Sequence, residues 1–367
     1  MTFERSQIVT SMHEGHREGI FDKYISPTKL RHWQEKKPYY IDFELTTLCP
    51  HTCKFCFSNS NLNPNPVHMP KGKVLEVLDD LAALEFKQIY WDGGESLLHP
   101  DFFDILAYAH EKGMGCGAFS AGLPLANKIV AKKVVDAFQK RHFNVFGIHI
   151  DTLDPETFAE LHDNPHELDR RIRGYQNLLD AGFPPNRILP CITLTGPAAR
   201  TIEKTIDWYV DEMGARFLEI STFKPMGSAG LNPNLEPSLS DMRRGFEYRA
   251  QKFGDPTWAQ MGSTECTTIQ CRTNVYLTVQ GEVMRCGQMP RELASGNIYE
   301  ERLFDIYRRH ADTLSMRDLQ VTGKCADCKH NDICEGCRAA ALHYCGDINA
   351  PDPKCWLNPE AQETYLR

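Results

Sequence analysis

Apolar and polar residues follow two different periods along the first two thirds of the chain. Short runs rich in β-branched and aromatic residues predict strands, and the segments between them repeat apolar residues every three or four positions, which is typical of amphipathic helices. Strands are predicted at 39–45, 87–95, 114–124, 144–151, 188–197 and 216–225, with helices between them at 71–85, 101–113, 128–141, 167–182 and 201–214. This alternation predicts an α/β fold with a parallel sheet.

The regular alternation ends near residue 230, which divides the chain into regions. We expect a lead-in at 1–38, an α/β core at 39–230, a connector at 231–262 with a helix at 240–254, and a small cysteine-rich α+β domain at 263–367. The six strand–helix units are expected to curve into a partial (β/α)6 barrel. Functional side chains of such sheets collect at the carboxyl ends of the strands.

Composition narrows the function classes. The formal net charge of −8 gives no support for nucleic-acid binding, and no apolar run of about 18 residues predicts a membrane span. The polar N-terminus lacks the apolar segment of a secretory signal, so we expect a cytoplasmic protein. In a reducing compartment, 14 cysteines favour metal binding over disulfides.

Three cysteines, Cys49, Cys53 and Cys56, follow the first predicted strand at spacings i, i+4 and i+7. A closed metal site usually has four ligands, so this triplet leaves one position open. One alternative is a zinc site completed by a distant residue, and another is a set of reduced thiols without a metal.

This segment resembles the signature of radical S-adenosylmethionine (SAM) enzymes, CxxxCx-aromatic-C, with Phe55 at the aromatic position. The resemblance implies that the three cysteines hold three irons of a 4Fe–4S cluster, whose fourth iron binds the amino and carboxylate groups of SAM. It further implies an enzyme that cleaves SAM reductively to a 5′-deoxyadenosyl radical, which abstracts hydrogen from an unactivated C–H bond.

Further SAM contacts are implied by the same resemblance. Gly93, Gly94 and Glu95 end the second strand and look like the family's GGE motif, which binds the SAM amino group. Ser120 ends the third strand and resembles the position that contacts ribose or carboxylate. The alternatives are a glycine turn with a solvated carboxylate and an ordinary turn serine.

Two more strand ends remain ambiguous. His149 is expected to contact the SAM carboxylate, to face substrate and exchange protons, or to be a packed strand residue. Leu194 resembles a residue beside the adenine, although apolar strand residues belong to the core by default. The segment 162–171 is shorter than in relatives, so the arginine that usually contacts SAM cannot be assigned.

The C-terminal cysteines resemble a SPASM domain, the auxiliary cluster-binding extension of some radical SAM enzymes. This resemblance implies one 4Fe–4S cluster on Cys266, Cys271, Cys286 and Cys337, and a second on Cys325, Cys328, Cys334 and Cys355. The protein would thus carry three 4Fe–4S clusters. Only Glu335 and Gly336 separate the last two cysteines of the tight block, one residue fewer than usual. Structural zinc is the alternative for these cysteines.

Three cysteines remain, namely Cys116, Cys191 and Cys345. Each is a small buried hydrophobe by default, or else a hydrogen-atom donor or an alternative cluster ligand. No catalytic residue is therefore assigned; Cys191, Cys345 and His149 are the candidates.

Auxiliary clusters imply net oxidation of a substrate radical, by crosslinking, dehydrogenation or decarboxylation. A ribosomally made peptide is the leading substrate hypothesis. The alternative is the same radical chemistry on a sugar or aminoglycoside, a nucleoside or a tetrapyrrole, including epimerisation. Segment 336–355 resembles both PQQ-peptide-crosslinking and tetrapyrrole-modifying enzymes, and Gly287 counts against sulfatase maturation, where relatives have Asp. A non-enzymatic iron–sulfur or zinc scaffold is the alternative of a different class.

The partners expected from this reading are the substrate and a reductant such as flavodoxin or ferredoxin. The lead-in is shorter than the leader-peptide-binding domain of some peptide modifiers, so either a separate protein supplies that function or the substrate is a small molecule.

Overall fold

The computed structural model describes residues 27–58, 60, 64–139, 144–254, 261–263 and 265–359. Within them one sheet of eight strands has the order β6-β5-β4-β3-β2-β1-β7-β8. The strands are β1 Tyr40–Thr46, β2 Gln88–Gly93, β3 Gly115–Ser120, β4 Val145–His149, β5 Ile188–Leu194, β6 Glu219–Thr222, β7 Asn274–Leu277 and β8 Val283–Met284. All neighbours pair in parallel except β7 and β8, which are antiparallel. The predicted α/β fold with a parallel sheet is confirmed.

The helices that connect and cover the strands are α1 Pro27–Gln34, α2 Lys71–Ala83, α3 Phe102–Glu111, α4 Lys128–Phe138, α5 Pro155–Leu161, α6 Glu167–Asp180, α7 Gly196–Ala199, α8 Ile202–Asp207 and α9 Leu239–Lys252. The cysteine-rich region adds α10 Thr268–Cys271, α11 Leu303–Leu314, α12 Gly323–Ala326 and α13 Arg338–Cys345. No helix in the described part of the chain is both long and apolar enough to cross a membrane.

Most predicted helices are present with small shifts at their ends. The expected helix at 201–214 is instead the short α8 followed by a π-helical turn, Trp208–Glu212. Helices α5 and α7 were not predicted from the sequence. The prediction for 140–141, like those for 1–26, 255–260, 264 and 360–367, lies outside the described residues.

Successive side chains along each strand point to opposite faces of the sheet, and the two faces have different surroundings. On β1, Ile41, Phe43 and Leu45 are fully buried among the residues of the main apolar cluster, which includes residues of the covering helices. Tyr40 and Asp42 point the other way and line a cavity together with alternate residues of β2 to β7. A flat sheet cannot surround one cavity with seven strands, so the sheet curves into a partial barrel, whose interior we call the lumen.

The floor of the lumen is closed by apolar residues. Tyr40, Tyr90, Val145, Leu189 and Phe217 belong to one buried cluster. The ring of Tyr90 leaves room only for glycine at position 117, because a Cβ there would overlap the ring. The lumen is therefore accessible from the carboxyl ends of the strands.

The C-terminal region completes the same sheet. Strand β7 pairs with β1, and the buried carboxylate of Glu44 accepts hydrogen bonds from the Tyr276 hydroxyl at 2.7 Å and the Val279 amide at 3.1 Å. Arg291 adds an ion pair to Glu44 at 3.3 Å. The boundary predicted at residue 263 stays a prediction, and the regions on either side of it share one hydrogen-bonded sheet.

Two helical glycines provide a test of packing between α6 and the turn after β3. A Cβ on Gly174 would overlap the carbonyl oxygen of Gly122, whereas a Cβ on Gly72 in α2 would meet no atom within 4 Å. We expect Gly174→Ala to destabilise the fold by about 1–3 kcal/mol because backbone must move. Gly72→Ala should stabilise by roughly 0.5 kcal/mol. Urea unfolding midpoints measure both, and equal midpoints would contradict this packing.

Candidate active site

The first cavity lies where the strands β1 to β6 end. Its lining includes most of the residues that the sequence pointed to, namely Cys49, Cys53, Phe55, Cys56, Gly93, Gly94, Glu95, Ser120 and His149. It also includes residues that the sequence analysis did not single out, among them His51, Asp151, Arg171, Thr193 and Lys224. The structure thus gathers the cysteine triplet and the GGE motif into one site.

The GGE turn packs directly on the loop that carries the cysteines. The Gly94 amide donates to the carbonyl of Thr46 at 2.7 Å, and the Glu95 amide donates to that of Leu48 at 2.8 Å. Gly93 has φ +109°, and a Cβ on Gly94 would overlap the Leu48 carbonyl. Glycine at both positions is therefore required for the approach that brings Glu95 beside the cysteines.

Glu95 is buried, with 1% of its surface exposed. Its Oε2 accepts hydrogen bonds from the Ser120 hydroxyl at 2.9 Å and from the Ala121 amide at 3.3 Å. Its Oε1 is buried and has no partner among the described residues. A buried carboxylate oxygen without a donor is costly, so this atom fits a ligand that brings an N–H group. The geometry makes Ser120 a residue that positions Glu95.

Arg171 reaches this site from α6, although the sequence analysis could not assign an arginine there. Its Nη2 donates to Glu167 Oε2 at 3.0 Å and lies 3.7 Å from Cys53 Sγ. Burial alone lowers the pKa of Arg171, but the charge of Cys53 and the hydrogen bonds to Cys53 and Glu167 outweigh burial and raise it. The sequence did contain a signal for this arginine, because Glu167 and Arg171 lie at i and i+4 on an amphipathic helix, where opposite charges pair.

A buried polar chain joins Arg171 to Glu95. His51 Nδ1 lies 3.3 Å from Glu167 Oε2 and 3.0 Å from Arg171 Nη2, and His51 Nε2 lies 3.4 Å from Glu95 Oε2. His162 lies 3.4 Å from Arg171 Nη2, and its pKa is lowered by burial and by the guanidinium. These contacts hold the GGE carboxylate and the cysteine loop in one network.

Aromatic and acidic groups form other parts of the wall. Phe55, at the aromatic position of the cysteine motif, packs edge-on against His162 with ring centroids 5.5 Å apart. Asp151 accepts from the Thr193 amide at 2.7 Å, while its Oδ2 is buried and has no partner among the described residues. Burial raises the pKa of Asp151 to about 6. The motif GIHID pointed to His149, and Asp151 two residues later was missed.

The chemistry of the cysteine triplet fits an iron–sulfur cluster. Burial is the largest cause that raises the pKa of Cys53, to about 12, and it also raises that of Cys49. Such thiols become thiolates only beside a strong positive charge, and a bound metal supplies that charge. Among the described residues, no three His, Cys, Asp or Glu side chains converge on the position of a single ion.

The second cavity is the lumen itself. It is lined by the four cysteines assigned to the first auxiliary cluster, Cys266, Cys271, Cys286 and Cys337. Backbone amides point at two of these sulfurs, from Gln288 to Cys286 and from Ala340 to Cys337, each at 3.4 Å. Amide donors to cysteine sulfur are a common feature of iron–sulfur sites.

The third cavity is lined by the other predicted quartet, Cys325, Cys328, Cys334 and Cys355. The Asp352 amide donates to Cys325 Sγ at 3.3 Å. Gly336 has φ +72°, and a Cβ there would lie 2.9 Å from Cys325 Sγ. Glycine is therefore favoured at this position before Cys337. Cys334 lines both the second and the third cavity.

The remaining predicted residues have different surroundings. His149 lines the first and second cavities, and its register partner on β5, Cys191, lines the second. Leu194 packs in the apolar core near Gly245 and is not among the residues that line the three cavities. Cys345 ends α13 and lines none of these three cavities. The roles expected for Leu194 and Cys345 stay predictions.

Comparisons with known proteins agree with this geometry. Residues 43–209 match the family model of the radical SAM superfamily. The chain is 25% identical to an AdoMet-dependent heme synthase of Methanosarcina barkeri over 88% of this chain and 97% of the relative. It is 23% identical to the mycofactocin maturase MftC of Mycolicibacterium smegmatis over 90% of this chain and 86% of the relative.

The fold also matches solved structures across most of the chain. SuiB of Streptococcus suis bound to S-adenosylmethionine superimposes with a TM-score of 0.66 and 16% identity, covering 90% of this chain and 80% of SuiB. The chain therefore contains a radical SAM domain, and it is an enzyme of the radical SAM class. Its class implies one 4Fe–4S cluster that binds SAM.

The unpartnered oxygen of Glu95 generates a test. We expect Glu95→Gln to weaken SAM binding roughly tenfold or more, because a charge-assisted hydrogen bond to the SAM amino group is lost. Calorimetry on anaerobically reconstituted protein measures the affinity. Glu219→Gln is the matched control, since Glu219 lines the second cavity and not the first. Equal affinities of the Glu95 variant and the unaltered enzyme would contradict this role.

Proposed function

We propose that this enzyme oxidatively modifies an unactivated C–H position of a ribosomally made peptide. The observation that carries the proposal is the wall that the first and second cavities share. Both cavities are lined by Phe57, Asp92, Phe119, His149, Ser221 and Gln288. A substrate in the lumen would thus lie between the cysteine triplet and the first C-terminal cysteine quartet.

Each side of this arrangement has its own chemistry. Cys49, Cys53 and Cys56 would hold a cluster that supplies the electron for reductive cleavage of SAM, and this cleavage would allow a hydrogen atom to be removed from substrate. Cys266, Cys271, Cys286 and Cys337 would hold a second centre that takes up the remaining electron, which would make the modification a net two-electron oxidation. We infer that the two C-terminal quartets hold two such clusters, giving three 4Fe–4S clusters in total.

The chain's own residues would bind and orient the reactants. Cys49, Cys53 and Cys56 would hold the SAM-binding cluster, and Glu95 would accept a hydrogen bond from the SAM amino group. Arg171 stabilises a thiolate at Cys53 through its positive charge. His149 lies where SAM and substrate would meet and is our candidate for contact with either.

The charge of the lumen favours a peptide side chain over a tetrapyrrole. Four carboxylates line it, from Asp42, Asp92, Glu219 and Glu265, and that of Glu265 is paired with Lys224. The guanidinium of Arg285, which also lines it, is engaged with Asp318 at 3.2 Å. Arg338 donates to backbone carbonyls of Ile348 and Ala350 at 2.9 and 2.7 Å, while its Nη2 is buried without a partner among the described residues. The carboxylates of the lining outnumber these two guanidinium groups, so the acidic side chains of a tetrapyrrole would meet net like charge, which is unfavourable.

Two similar proteins support the peptide hypothesis. SuiB has also been solved bound to its precursor peptide SuiA, and that structure superimposes with a TM-score of 0.65 at 17% identity, covering 90% of this chain and 79% of SuiB. MftC is named as a maturase of mycofactocin. A flavodoxin or ferredoxin would reduce the SAM cluster.

A tetrapyrrole substrate is the second candidate. The observation in its favour is the heme synthase relative, which this chain matches over 97% of that protein's length. An amine-bearing sugar is compatible with the carboxylates of the lumen as well.

One experiment separates these candidates. Reconstituted enzyme, SAM and dithionite are incubated in parallel with the short peptide encoded nearest to its gene and with coproporphyrin III. We expect the peptide to lose two hydrogens by mass spectrometry, with one 5′-deoxyadenosine formed per product. Modification of coproporphyrin III alone would replace the peptide proposal with the tetrapyrrole one.

The separate roles of the cysteine sets give a further prediction. Cys53→Ala should abolish 5′-deoxyadenosine formation, because the SAM-binding cluster loses a ligand. Cys286→Ala should retain part of it but lose the product, because the electron acceptor is damaged. Cys116→Ala is the control, since Cys116 is fully buried in the core and lines none of the three cavities. Full product formation by the Cys286 variant would remove the case for an auxiliary redox role.

A further inference from the structure

Two amide oxygens at the lumen lack hydrogen-bond donors. Gln270 on α10 and Asn274 at the start of β7 both line the lumen. Gln270 is 2% exposed, and neither Gln270 Oε1 nor Asn274 Oδ1 has a partner among the described residues. A buried acceptor is costly without a donor. Both atoms therefore fit an occupant of the lumen that carries N–H groups.

The orientation of Asn274 is fixed by a neighbouring carboxylate. Asn274 Nδ2 donates to Asp42 Oδ2 at 3.0 Å. An ionised carboxylate only accepts hydrogen bonds, so the amide nitrogen faces Asp42 and the amide oxygen points elsewhere. Asn274 is also the register partner of Tyr40, whose ring is part of the floor. A carboxylate and an amide oxygen thus lie together just above the apolar floor.

The charge of the lining selects among possible N–H donors. The four carboxylates that line the lumen face two guanidinium groups, those of Arg285 and Arg338. Arg285 is paired with Asp318, and Glu265 is paired with Lys224. These pairs leave three carboxylates of the lining against the one guanidinium of Arg338. A cationic donor offsets this excess of negative charge, whereas a neutral donor does not.

Aromatic rings beside the carboxylates suit the stem of a long basic side chain. Tyr40, Phe119 and Tyr276 line the lumen. Such rings pack against methylene groups, and their faces attract cations. Lys29 Nζ lies 4.7 Å from the centroid of the Tyr40 ring, but Lys29 is not among the residues that line the lumen. The lining thus combines apolar surface for a stem with acceptors for a cationic head.

We propose that the lumen contains a subsite for a basic side chain of the substrate peptide, lysine or arginine, whose N–H groups bind Asp42, Asn274 and Gln270. This inference rests on the proposed function, which takes the occupant of the lumen to be a peptide. The carboxylate of Asp42 supplies the opposite charge, and the two amide oxygens direct the N–H groups. The subsite thereby selects which segment of the peptide reaches the wall shared by the first and second cavities.

Small probes test the subsite on the reconstituted holoenzyme with SAM bound. N-acetyl-lysine methylamide and N-acetyl-arginine methylamide are titrated in parallel with the norleucine and glutamate analogues, and ligand-observed NMR measures the affinities. We expect at least one basic probe to bind roughly tenfold or more tightly than the norleucine probe, because charge-assisted hydrogen bonds are made. The tighter basic probe identifies the side chain. Equal affinities of the basic and norleucine probes, or a preference for the glutamate probe, would overturn the proposal.

Variants of the subsite give a second measurement. Asp42→Asn should weaken binding of the tighter basic probe about tenfold, and Gln270→Leu about fivefold, with the norleucine probe unaffected. Asp136→Asn and Gln251→Leu are matched controls, since both residues are exposed and line none of the three cavities. Unchanged affinity for the basic probe in both subsite variants would contradict the assignment.

Binding of SAM reports whether these variants fold. Asp42 and Gln270 do not line the first cavity, so SAM affinity should equal that of the unaltered enzyme. If a variant loses SAM binding, the probe selectivity of the unaltered enzyme decides the proposal.

Failure of the proposed function would be distinguishable. If the peptide encoded nearest to the gene is not oxidised while the basic probes keep their selectivity, the substrate class is wrong and the subsite stands. If the peptide is oxidised, replacing its lysines and arginines one at a time by glutamine should lower kcat/KM roughly tenfold or more at one position. Equal kcat/KM for all these peptides would leave the proposed function in place and overturn the subsite.

Discussion

The site depends on keeping several charges paired away from water. The guanidinium of Arg171 is 1% exposed and is shared between Glu167, His51 and the sulfur of Cys53. Removing one partner of such a buried group typically costs about 3–5 kcal/mol, because the other is left uncompensated. The network therefore fixes α6, the cysteine loop and the GGE turn relative to one another. The Glu95 Oε1 atom in this network has no hydrogen-bond partner among the described residues, and it fits a ligand that brings a donor.

The curved sheet gives this network its place. Parallel strands end at one edge, so side chains far apart in sequence meet around a single opening. The C-terminal region does not simply follow the core, because β7 hydrogen-bonds to β1 and Glu44 receives donors from beyond residue 270. The first C-terminal quartet is thereby held at the lumen, and Cys334 of the second quartet lines both the second and the third cavity. The three cysteine sets form a continuous series of sites.

Local features of the sequence predicted much of this architecture. Strand and helix periods predicted the order of the core elements, and the cysteine groups that the family resemblance implied line the three cavities, with Cys334 in two of them. Features that depend on tertiary contacts were not predictable in this way. The pairing of β7 with β1 joins segments distant in sequence, and the role of Arg171 depends on the close contact of Gly174 with Gly122. Thr193 and Leu194 both lie at the end of β5, and the sequence alone does not tell which of them faces the site. In the structure only Thr193 lines the first cavity.

The wall shared by the first two cavities has a consequence for self-protection. When no substrate fills the lumen, the carbon and hydrogen atoms nearest to a newly formed radical would belong to residues such as Phe119 and His149. Cleavage of SAM before substrate binds would then damage side chains of the enzyme covalently. An enzyme that completes many turnovers therefore needs SAM cleavage to begin only after substrate has bound in the lumen, and the bound substrate would set that timing.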